Sequence, residues 1–167
     1  MRFVFGIITN AKKPTKLQAS LESIWSQTID THDIDLAIAG DVHRAERLVY
    51  MDYAFKIEMV EAAQNGILGD MRNALGAYMV DRAMADICVL ADDDILFKSG
   101  FCQAILDFEE DWDVMCVRIE NPDGSRYWDW ATCFGPTGHH LKPYSEEMDD
   151  FWYNTGGIVV CKPEVLQ

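Results

Sequence analysis

The chain has 167 residues, of which 49% are apolar and 25% are charged, as in an ordinary globular protein. At this length we expect one compact domain with a real hydrophobic core. Its 28 Asp and Glu against 14 Lys and Arg give a formal net charge of −14, which repels phosphodiester backbones and anionic lipid surfaces. We therefore expect no nucleic-acid partner, and no stretch reaches the roughly 18 apolar residues of a transmembrane segment.

Cysteine usage and the first residues indicate a cytoplasmic protein. Five cysteines, an odd number, stand mostly in apolar runs: Cys88, Cys102, Cys116, Cys133 and Cys161. They are typical of small core residues in a reducing compartment. Residues 1–10 have neither the long apolar run nor the small-residue cleavage site of a signal peptide.

The first hundred residues alternate between strand and helix patterns. Apolar runs predict four strands, over Phe3–Thr9, Ile34–Ala39, Ala54–Val60 and Ile87–Ala91. Apolar residues at helical spacing predict three helices between these strands. The first begins at Pro14, the second covers Arg44–Tyr50, and the third is capped by Asp70 and reaches Ala85. The alternation predicts an α/β fold with a mostly parallel central sheet flanked by helices, the nucleotide-binding kind of architecture.

The pattern changes in the second half of the chain. We predict a helix over Ser99–Phe108, a strand over Val114–Ile119, an aromatic-rich segment over Tyr127–Phe134, a long polar loop over Gly135–Asn154, a last strand over Ile158–Cys161 and a helix opening at Pro163. These elements predict a small mixed or antiparallel C-terminal portion.

Three consecutive carboxylates, Asp92, Asp93 and Asp94, directly follow the fourth strand. Ligands of open α/β sheets bind outside the carboxyl ends of the strands. If strand geometry persists, Asp92 and Asp94 share a face and Asp93 points the other way. Neighbouring carboxylates repel unless a cation or proton relieves them, and a hard divalent ion that also binds diphosphate oxygens would do so. The alternative is a solvated acidic turn, in keeping with the 15 acidic and 4 basic residues of 92–150.

A glycine-containing approach to a helix, Asn65 to Ala74, precedes that strand. The free N–H groups of a helix start, together with the guanidinium of Arg72, can hold an anion. Pairing of Arg72 with a local Asp is the alternative.

Taken together, these stretches resemble the family 2 glycosyltransferases, which are sugar-nucleotide-dependent enzymes of the GT-A fold. The resemblance is strongest across three motifs in the order of the family's N-x-G, RN and DxD series: Asn65-Gly66, Arg72-Asn73 and Asp92-Asp93-Asp94. It also includes the strand end Thr9-Asn10, the helix pattern Ser20-Leu21-Glu22-Ser23-Ile24, the turn Ala39-Gly40-Asp41 and the later glycine pair Gly156-Gly157. It covers most of the chain.

The resemblance implies a metal-dependent, inverting hexosyltransferase. Its donor would be a UDP- or GDP-linked sugar, and the sequence does not name its acceptor. The implied donor-binding residues are Thr9, Asn10 and Asp41 at the base and ribose, Arg72 and Asn73 at the base or diphosphate, Asp92 at the ribose, and Asp93, Gly156 and Gly157. Asp94, with Asp92, would carry Mn²⁺ or Mg²⁺, which stabilises the charge that develops on the departing nucleoside diphosphate.

The resemblance divides the single domain, 1–167, into a nucleotide-binding half, 1–97, and an acceptor-side half, 98–167. The family places its catalytic carboxylate well beyond the glycine pair, where this chain has only ten residues after Gly157. Inversion needs a base for the acceptor hydroxyl. Either that base lies among Asp129, Glu146, Glu147, Asp149 and Asp150, with Asp129 and Asp150 as weak candidates, or the chain is part of a longer protein, or it is not a competent enzyme.

Two further motifs suggest ligand contacts. Trp128-Asp129-Trp130 is a candidate acceptor platform, because indoles stack on sugar rings and Asp129 could bind or deprotonate a hydroxyl; the alternative is two core aromatics flanking an exposed Asp. His140 is a candidate metal ligand in the polar loop, and the alternative is solvent exposure.

Two other classes of protein stay open at this stage. In a haloacid-dehalogenase-like phosphohydrolase, Asp92 would be the nucleophile and Asp94 the acid, although three strand–helix units precede the motif here. The other class is a non-catalytic module that binds a sugar nucleotide or a glycan. Such a module needs no catalytic base, which would explain why none stands at the family's usual position.

Overall fold

The computed structural model describes residues 1–48, 57–62, 67–134, 138–146, 151–154 and 157–167. Its strands are β1 (Phe3–Thr9), β2 (Ile34–Gly40), β3 (Ile57–Val60), β4 (Ile87–Asp92), β5 (Val114–Met115), β6 (Trp130–Phe134), β7 (Gly138–Leu141), β8 (Trp152–Asn154) and β9 (Ile158–Cys161). Its α-helices are α1 (Pro14–Trp25), α2 (Val42–Leu48), α3 (Leu68–Ala77) and α4 (Phe101–Leu106). A π-helical turn, Tyr78–Arg82, continues α3, and 3-10 turns cover Thr31–Asp33 and Pro163–Leu166.

The main sheet has six strands in the order β3-β2-β1-β4-β9-β5. The four strands of the first half are parallel, and β9 pairs antiparallel with both β4 and β5. The predicted α/β fold with a mostly parallel central sheet is confirmed.

The central strand β1 is buried along its whole length because helices cover both faces of the sheet. On one face Phe5 and Ile7 join the core that contains Leu21 of α1. On the other face Val4 packs in the core that contains Leu75 of α3. This double burial explains why β1 reads as a continuous apolar run.

A second, antiparallel sheet of three strands, in the order β7-β6-β8, forms the C-terminal portion. The polar loop predicted over Gly135–Asn154 is therefore wrong where β7 and β8 lie. The sequence of β7 does not look like a strand, because it includes two exposed histidines, His139 and His140. The segment is a strand because it pairs with β6.

Several element boundaries differ from the prediction. The strand predicted over Val114–Ile119 pairs only as far as Met115. Asp70 was predicted to cap α3, but α3 begins at Leu68 and Asp70 lies in its first turn, where a negative charge still favours the helix dipole. The parts of the predicted elements at residues 49–50 and 54–56 lie outside the described residues. No helix in the described ranges is long and apolar enough to cross a bilayer.

Candidate functional site

The carboxyl ends of β1 and β2 are held together by a close approach of Gly40 to Thr9. The Asp41 amide donates to the Thr9 carbonyl oxygen at 3.0 Å, and Gly40 has a φ of +119°. A Cβ at Gly40 would lie 2.0 Å from that oxygen, so only glycine fits. Asp41 in turn caps α2, because its carboxylate accepts from the Arg44 amide at 3.1 Å. The turn thus fixes Asp41 beside the end of β1.

Thr9 links the end of β1 to the acidic turn after β4. Its hydroxyl donates to the Asp93 carboxylate and accepts from the Ala11 amide at 2.8 Å, and the side chain is buried. The next residue, Asn10, is exposed, and its side-chain oxygen accepts from the Lys12 amide at 2.9 Å. Thr9 therefore holds Asp93 in place, while Asn10 faces solvent at the same edge.

Asp92 fits closely against Gly157, the residue before β9. Its amide donates to the Gly157 carbonyl oxygen at 2.8 Å, and a Cβ on Gly157 would lie 2.4 Å from Asp92 Oδ2. The Arg72 guanidinium of α3 lies 3.8 Å from Asp92 Oδ1, and Asn73 beside it is exposed. The structure thus brings Asp92, Gly157 and Arg72 together, and Gly156 lies outside the described residues, as do Asn65 and Gly66.

The Asp92 carboxyl is affected by its burial and by the charged groups around it. Burial raises the pKa of Asp92 above its usual range, Arg72 lowers it, and the charges of Asp94 and Asp93 raise it again, with a net upward shift. Arg72 and Lys16 offset only part of the negative charge of these three carboxylates, and such a cluster favours a further cation or a proton.

Asp92 and Asp94 do not share a face, contrary to the strand-based expectation. Asp94 pairs with Lys16 of α1 at 3.0 Å, whereas Asp92 faces Arg72 of α3, and α1 and α3 cover opposite faces of the sheet. The alternation stops because β4 ends at Asp92 and the chain turns, with the Ile95 amide donating to the Asp92 carbonyl at 3.4 Å.

The donor set at this edge is suited to a hard divalent cation that a substrate helps to bind. No group of three or more His, Cys, Asp or Glu converges among the described residues, so the protein does not supply a complete cage there. Mg²⁺ and similar ions, however, need only one or two carboxylates when waters and substrate phosphates complete the shell. The side chains of Asp92 and Asp94 are each 42% exposed, which leaves carboxylate oxygens accessible for this purpose.

His140 lies elsewhere, on the small sheet. It is exposed and stands opposite Thr132 of β6 in the β6–β7 register. Its neighbour His139 contacts the hydroxyl of Tyr153 through Nδ1 at 2.5 Å. Within the described ranges no acidic or cysteine cluster surrounds His140.

Asp129 is fully buried, so the alternative in which an exposed Asp lies between two core aromatics is wrong. Its carboxylate accepts from Arg126 Nε, the Trp130 amide and the Tyr144 hydroxyl, each at 2.8 Å. Burial raises its pKa, but the hydrogen bonds from Arg126, Trp130 and Tyr144 outweigh this, and the pKa lies below its usual range. A carboxylate held in this way is a poor general base, because proton uptake would break its charged hydrogen bonds.

The aromatic side chains around Asp129 pack closely together. The ring centroids of Trp130 and Tyr144 lie 4.9 Å apart, and the Arg126 guanidinium lies 5.0 Å from the Trp130 ring and 4.0 Å from that of Tyr144. Trp128, 39% exposed, is available to solvent. Within the described part of the chain the Trp130 indole Nε1 is buried without a hydrogen-bond partner. Trp130 therefore packs against its neighbours and does not offer an open surface on which a sugar could stack.

Sequence reasoning missed several residues of this region, namely Lys16, Arg118, Arg126 and Tyr144. The spacing of Arg126 and Asp129, three residues apart, is the one signal that could have indicated an ion pair. The other contacts join residues far apart in the chain, such as Lys16 and Asp94, and no local pattern reveals them.

Comparisons with known proteins identify the fold. No protein-family model and no curated protein sequence matches the chain. Among solved structures, TarS 1–349 of S. aureus aligns with a TM-score of 0.65 at 14% identity, over 99% of this chain and 48% of TarS 1–349. The same TarS fragment in complex with UDP-GlcNAc aligns with a TM-score of 0.59 at 17% identity, over 78% of this chain and 39% of that one.

A third similar structure is the mannosyltransferase PcManGT from Pyrobaculum calidifontis in complex with GDP-Man and Mn²⁺, with a TM-score of 0.54 at 16% identity, over 73% of this chain and 36% of that one. This chain thus spans about half, or less, of the structures it matches. At these identities the likeness defines the fold, which is of the GT-A glycosyltransferase type.

Proposed function

We propose that this protein is a glycosyltransferase that takes a sugar from a nucleoside-diphosphate sugar. The observation that carries the proposal is the convergence of Asp92, Asp93 and Asp94 with Arg72 and Gly157 at the carboxyl edge of the parallel sheet. Open α/β sheets bind ligands at this edge. The similar structures support the proposal, because TarS 1–349 has been solved with UDP-GlcNAc and PcManGT with GDP-Man.

The proposed donor site uses the residues that line this edge. Thr9, Asn10 and Asp41 lie at the ends of β1 and β2 and would meet the base and ribose. Arg72 and Asn73 would hold the base or diphosphate side, with Asp92 on the ribose and Asp93 held by Thr9. Gly157, whose missing side chain leaves space for the Asp92 carboxylate, and Gly156 would lie beside the donor sugar.

Asp94 would hold Mn²⁺ or Mg²⁺ against the diphosphate, and we propose that Asp92 shares this ion once donor binding separates its carboxylate from Arg72. Such an ion acts as a Lewis acid for the leaving group. Lys16 now neutralises Asp94 at 3.0 Å, and we propose that it exchanges this carboxylate for a diphosphate oxygen when donor binds. The relief of repulsion among the three carboxylates is what makes the site receptive to a cation.

We further propose that residues 1–97 form the nucleotide-binding half and residues 98–167 the acceptor-side half of a single domain, and that transfer proceeds with inversion. The base is not Asp129 in this proposal, because hydrogen bonds occupy its carboxylate. Glu146, which is half exposed and pairs with Lys142 at 3.1 Å, remains available, and Glu147, Asp149 and Asp150 lie outside the described residues.

The two competing classes make different demands. A phosphohydrolase of the haloacid-dehalogenase type would use Asp92 as the nucleophile and Asp94 as the acid, and it would cleave a phosphate ester without any sugar nucleotide. A binding module would share the donor site but release no diphosphate.

The test is a panel of UDP, GDP, UDP-GlcNAc and GDP-Man with and without MnCl₂ or MgCl₂. We expect either the uridine or the guanosine compounds to raise the melting temperature in a metal-dependent way. We expect the corresponding sugar nucleotide to be hydrolysed slowly to the nucleoside diphosphate and the free sugar. Asp94→Asn should abolish the metal-dependent part, whereas Asp111→Asn, an exposed control with the same charge change, should not. Full metal-dependent affinity in the Asp94→Asn variant would contradict the metal assignment. Turnover of a generic phosphate ester without sugar nucleotide would favour the phosphohydrolase, and binding without any diphosphate release would favour the binding module.

A further inference from the structure

Among the described residues, one arginine in the acidic half of the chain forms no ion pair with a carboxylate. Residues 92–150 hold four basic residues. Three of them pair with carboxylates at 3.1 Å or less: Lys98 with Glu120, Arg126 with Asp129 and Lys142 with Glu146. Among the residues that the structure describes, no ion pair includes the fourth, Arg118.

Arg118 is exposed but not loosely placed. Its guanidinium carbon lies 4.0 Å from the centroid of the Tyr144 ring, and the Tyr144 hydroxyl is anchored on the buried Asp129 at 2.8 Å. Arg126, on the same ring, is fixed by Asp129 and by the Lys142 carbonyl oxygen at 2.6 Å. A guanidinium that rests on a fixed ring keeps its in-plane N–H donors free for a ligand.

The topology places Arg118 at the edge that carries the candidate donor site. Because β9 is antiparallel to both β4 and β5, the strands β4 and β5 run in the same direction. The chain therefore leaves β5 towards Arg118 at the edge where Asp92–Asp94 leave β4. The Lys98–Glu120 ion pair, at 2.6 Å, directly connects the segment that follows β4 with the segment that follows β5. With one strand between them, β4 and β5 lie roughly 10 Å apart, so a second ligand can lie beside a bound donor.

We propose that Arg118 is a specificity residue that binds an anionic group of the acceptor, the molecule that receives the sugar. The inference rests on the proposed transferase function. In the proposed function, Lys16, the cation and Arg72, which would hold the base or diphosphate side, already serve the donor on the β4 side of the site. A protein with a net charge of −14 repels an anionic acceptor. The Arg118 guanidinium, which forms no ion pair with any described residue, offsets that repulsion locally and presents a fork of donors to a phosphate or carboxylate.

The experiment uses glycerol 3-phosphate as the anionic probe and glycerol as its neutral counterpart. Both are titrated into the full chain with MgCl₂ and a saturating concentration of the nucleoside diphosphate, UDP or GDP, that raises the melting temperature, so that the diphosphate site is blocked. Binding is followed through the Nε–Hε signals of the arginine side chains in ¹H–¹⁵N spectra. We expect the Arg118 signal to shift with glycerol 3-phosphate at roughly millimolar concentration and not with glycerol.

Arg118→Gln should weaken glycerol 3-phosphate binding at least about tenfold, and Arg118→Lys should restore only part of it, since Lys lacks the planar fork. Arg82→Gln removes the same charge from an exposed residue remote from this edge and should leave binding within about twofold.

Each other outcome contradicts the inference. Equal binding in the wild type and Arg118→Gln, or no binding in the wild type, would remove the anion site. Equal shifts with glycerol would indicate a neutral acceptor. A loss of nucleotide stabilisation in Arg118→Gln would assign Arg118 to the donor. If no nucleotide stabilises the wild type, the proposed function fails separately, and the titration without nucleotide still tests whether Arg118 binds the anion.

Discussion

The Asp92 carboxylate occupies the space where a side chain at Gly157 would begin, since a Cβ there would lie 2.4 Å from Asp92 Oδ2. The first residue of the acidic turn and the residue before β9 are therefore shaped to each other, although 65 positions separate them in the sequence. This fit makes the proposed donor site sensitive to a single methyl group.

We expect Gly157→Ala to displace the Asp92 carboxylate and to lower nucleotide affinity at least about tenfold, because the added methyl group would lie 2.4 Å from Oδ2 and 3.0 Å from Cβ of Asp92. The measurement is the concentration of UDP or GDP that half-saturates the melting-temperature shift. The control is Gly100→Ala, where nothing lies within 4 Å of the added Cβ. Gly124→Ala would be a poor control, because Gly124 has a φ of +81° that an alanine would strain. Unchanged affinity in Gly157→Ala would mean that Asp92 does not contact the nucleotide.

Asp92→Asn should separate function from stability. A carboxyl whose folded pKa is raised destabilises the fold when charged, so its contribution improves as the pH falls through that pKa. We therefore expect Asp92→Asn to raise the melting temperature at pH 7 without ligand, by no more than roughly 4 °C because the group is partly exposed, and to abolish metal-dependent nucleotide binding. A lower melting temperature would show that the pair with Arg72 outweighs the repulsion and burial.

Asp129 has the opposite dependence on pH. Its folded pKa lies below the unfolded value, so its stabilisation is complete above the unfolded pKa and is lost as the pH falls through the folded one. We expect Asp129→Asn to destabilise the protein by about 2–5 kcal/mol, because Arg126 loses its buried counter-charge. Urea unfolding at pH 7 measures this. The exposed Asp123→Asn serves as control, and a loss under 1 kcal/mol would contradict the anchoring role of Asp129, by analogy with surface pairs.

Three thiols should report on global unfolding. Cys88, Cys102 and Cys161 are buried, and burial raises the pKa of Cys102 to about 12. The thiolate is the reactive form, and Cys161, whose pKa is lowered by a hydrogen bond with Cys88, is protected by its burial instead. We therefore expect none of the three to react with a disulfide reagent at pH 8 until the protein unfolds. Mass spectrometry after pulsed labelling in increasing urea identifies them. Early labelling of Cys102 would indicate local opening at α4.

The parallel half of the fold was predictable because its signal is local. β1 and β4 are apolar at nearly every position, and that pattern follows from burial on both faces. The second half was harder because its strands depend on distant partners: β7 carries two histidines and is a strand only through its pairing with β6.

The site divides in the same way. The acidic turn was evident at the end of β4, but the directions of Asp92 and Asp94 depend on Arg72 and Lys16, which lie on helices of opposite faces. The burial of Asp129 likewise depends on Tyr144, 15 residues further on. Strand alternation alone therefore gave the wrong direction for the Asp94 side chain, and the aromatic motif alone did not determine whether Asp129 is buried.

Strand β9 has a consequence for how the protein is made. It lies between β4 and β5, and among the strands that the structure describes β5 pairs with β9 alone. During synthesis on the ribosome, β1 to β4 can assemble early, but one side of β4 stays unpaired until residues 158–161 emerge. The nascent chain must therefore keep an open sheet edge from associating with other chains for the time needed to translate some 70 residues.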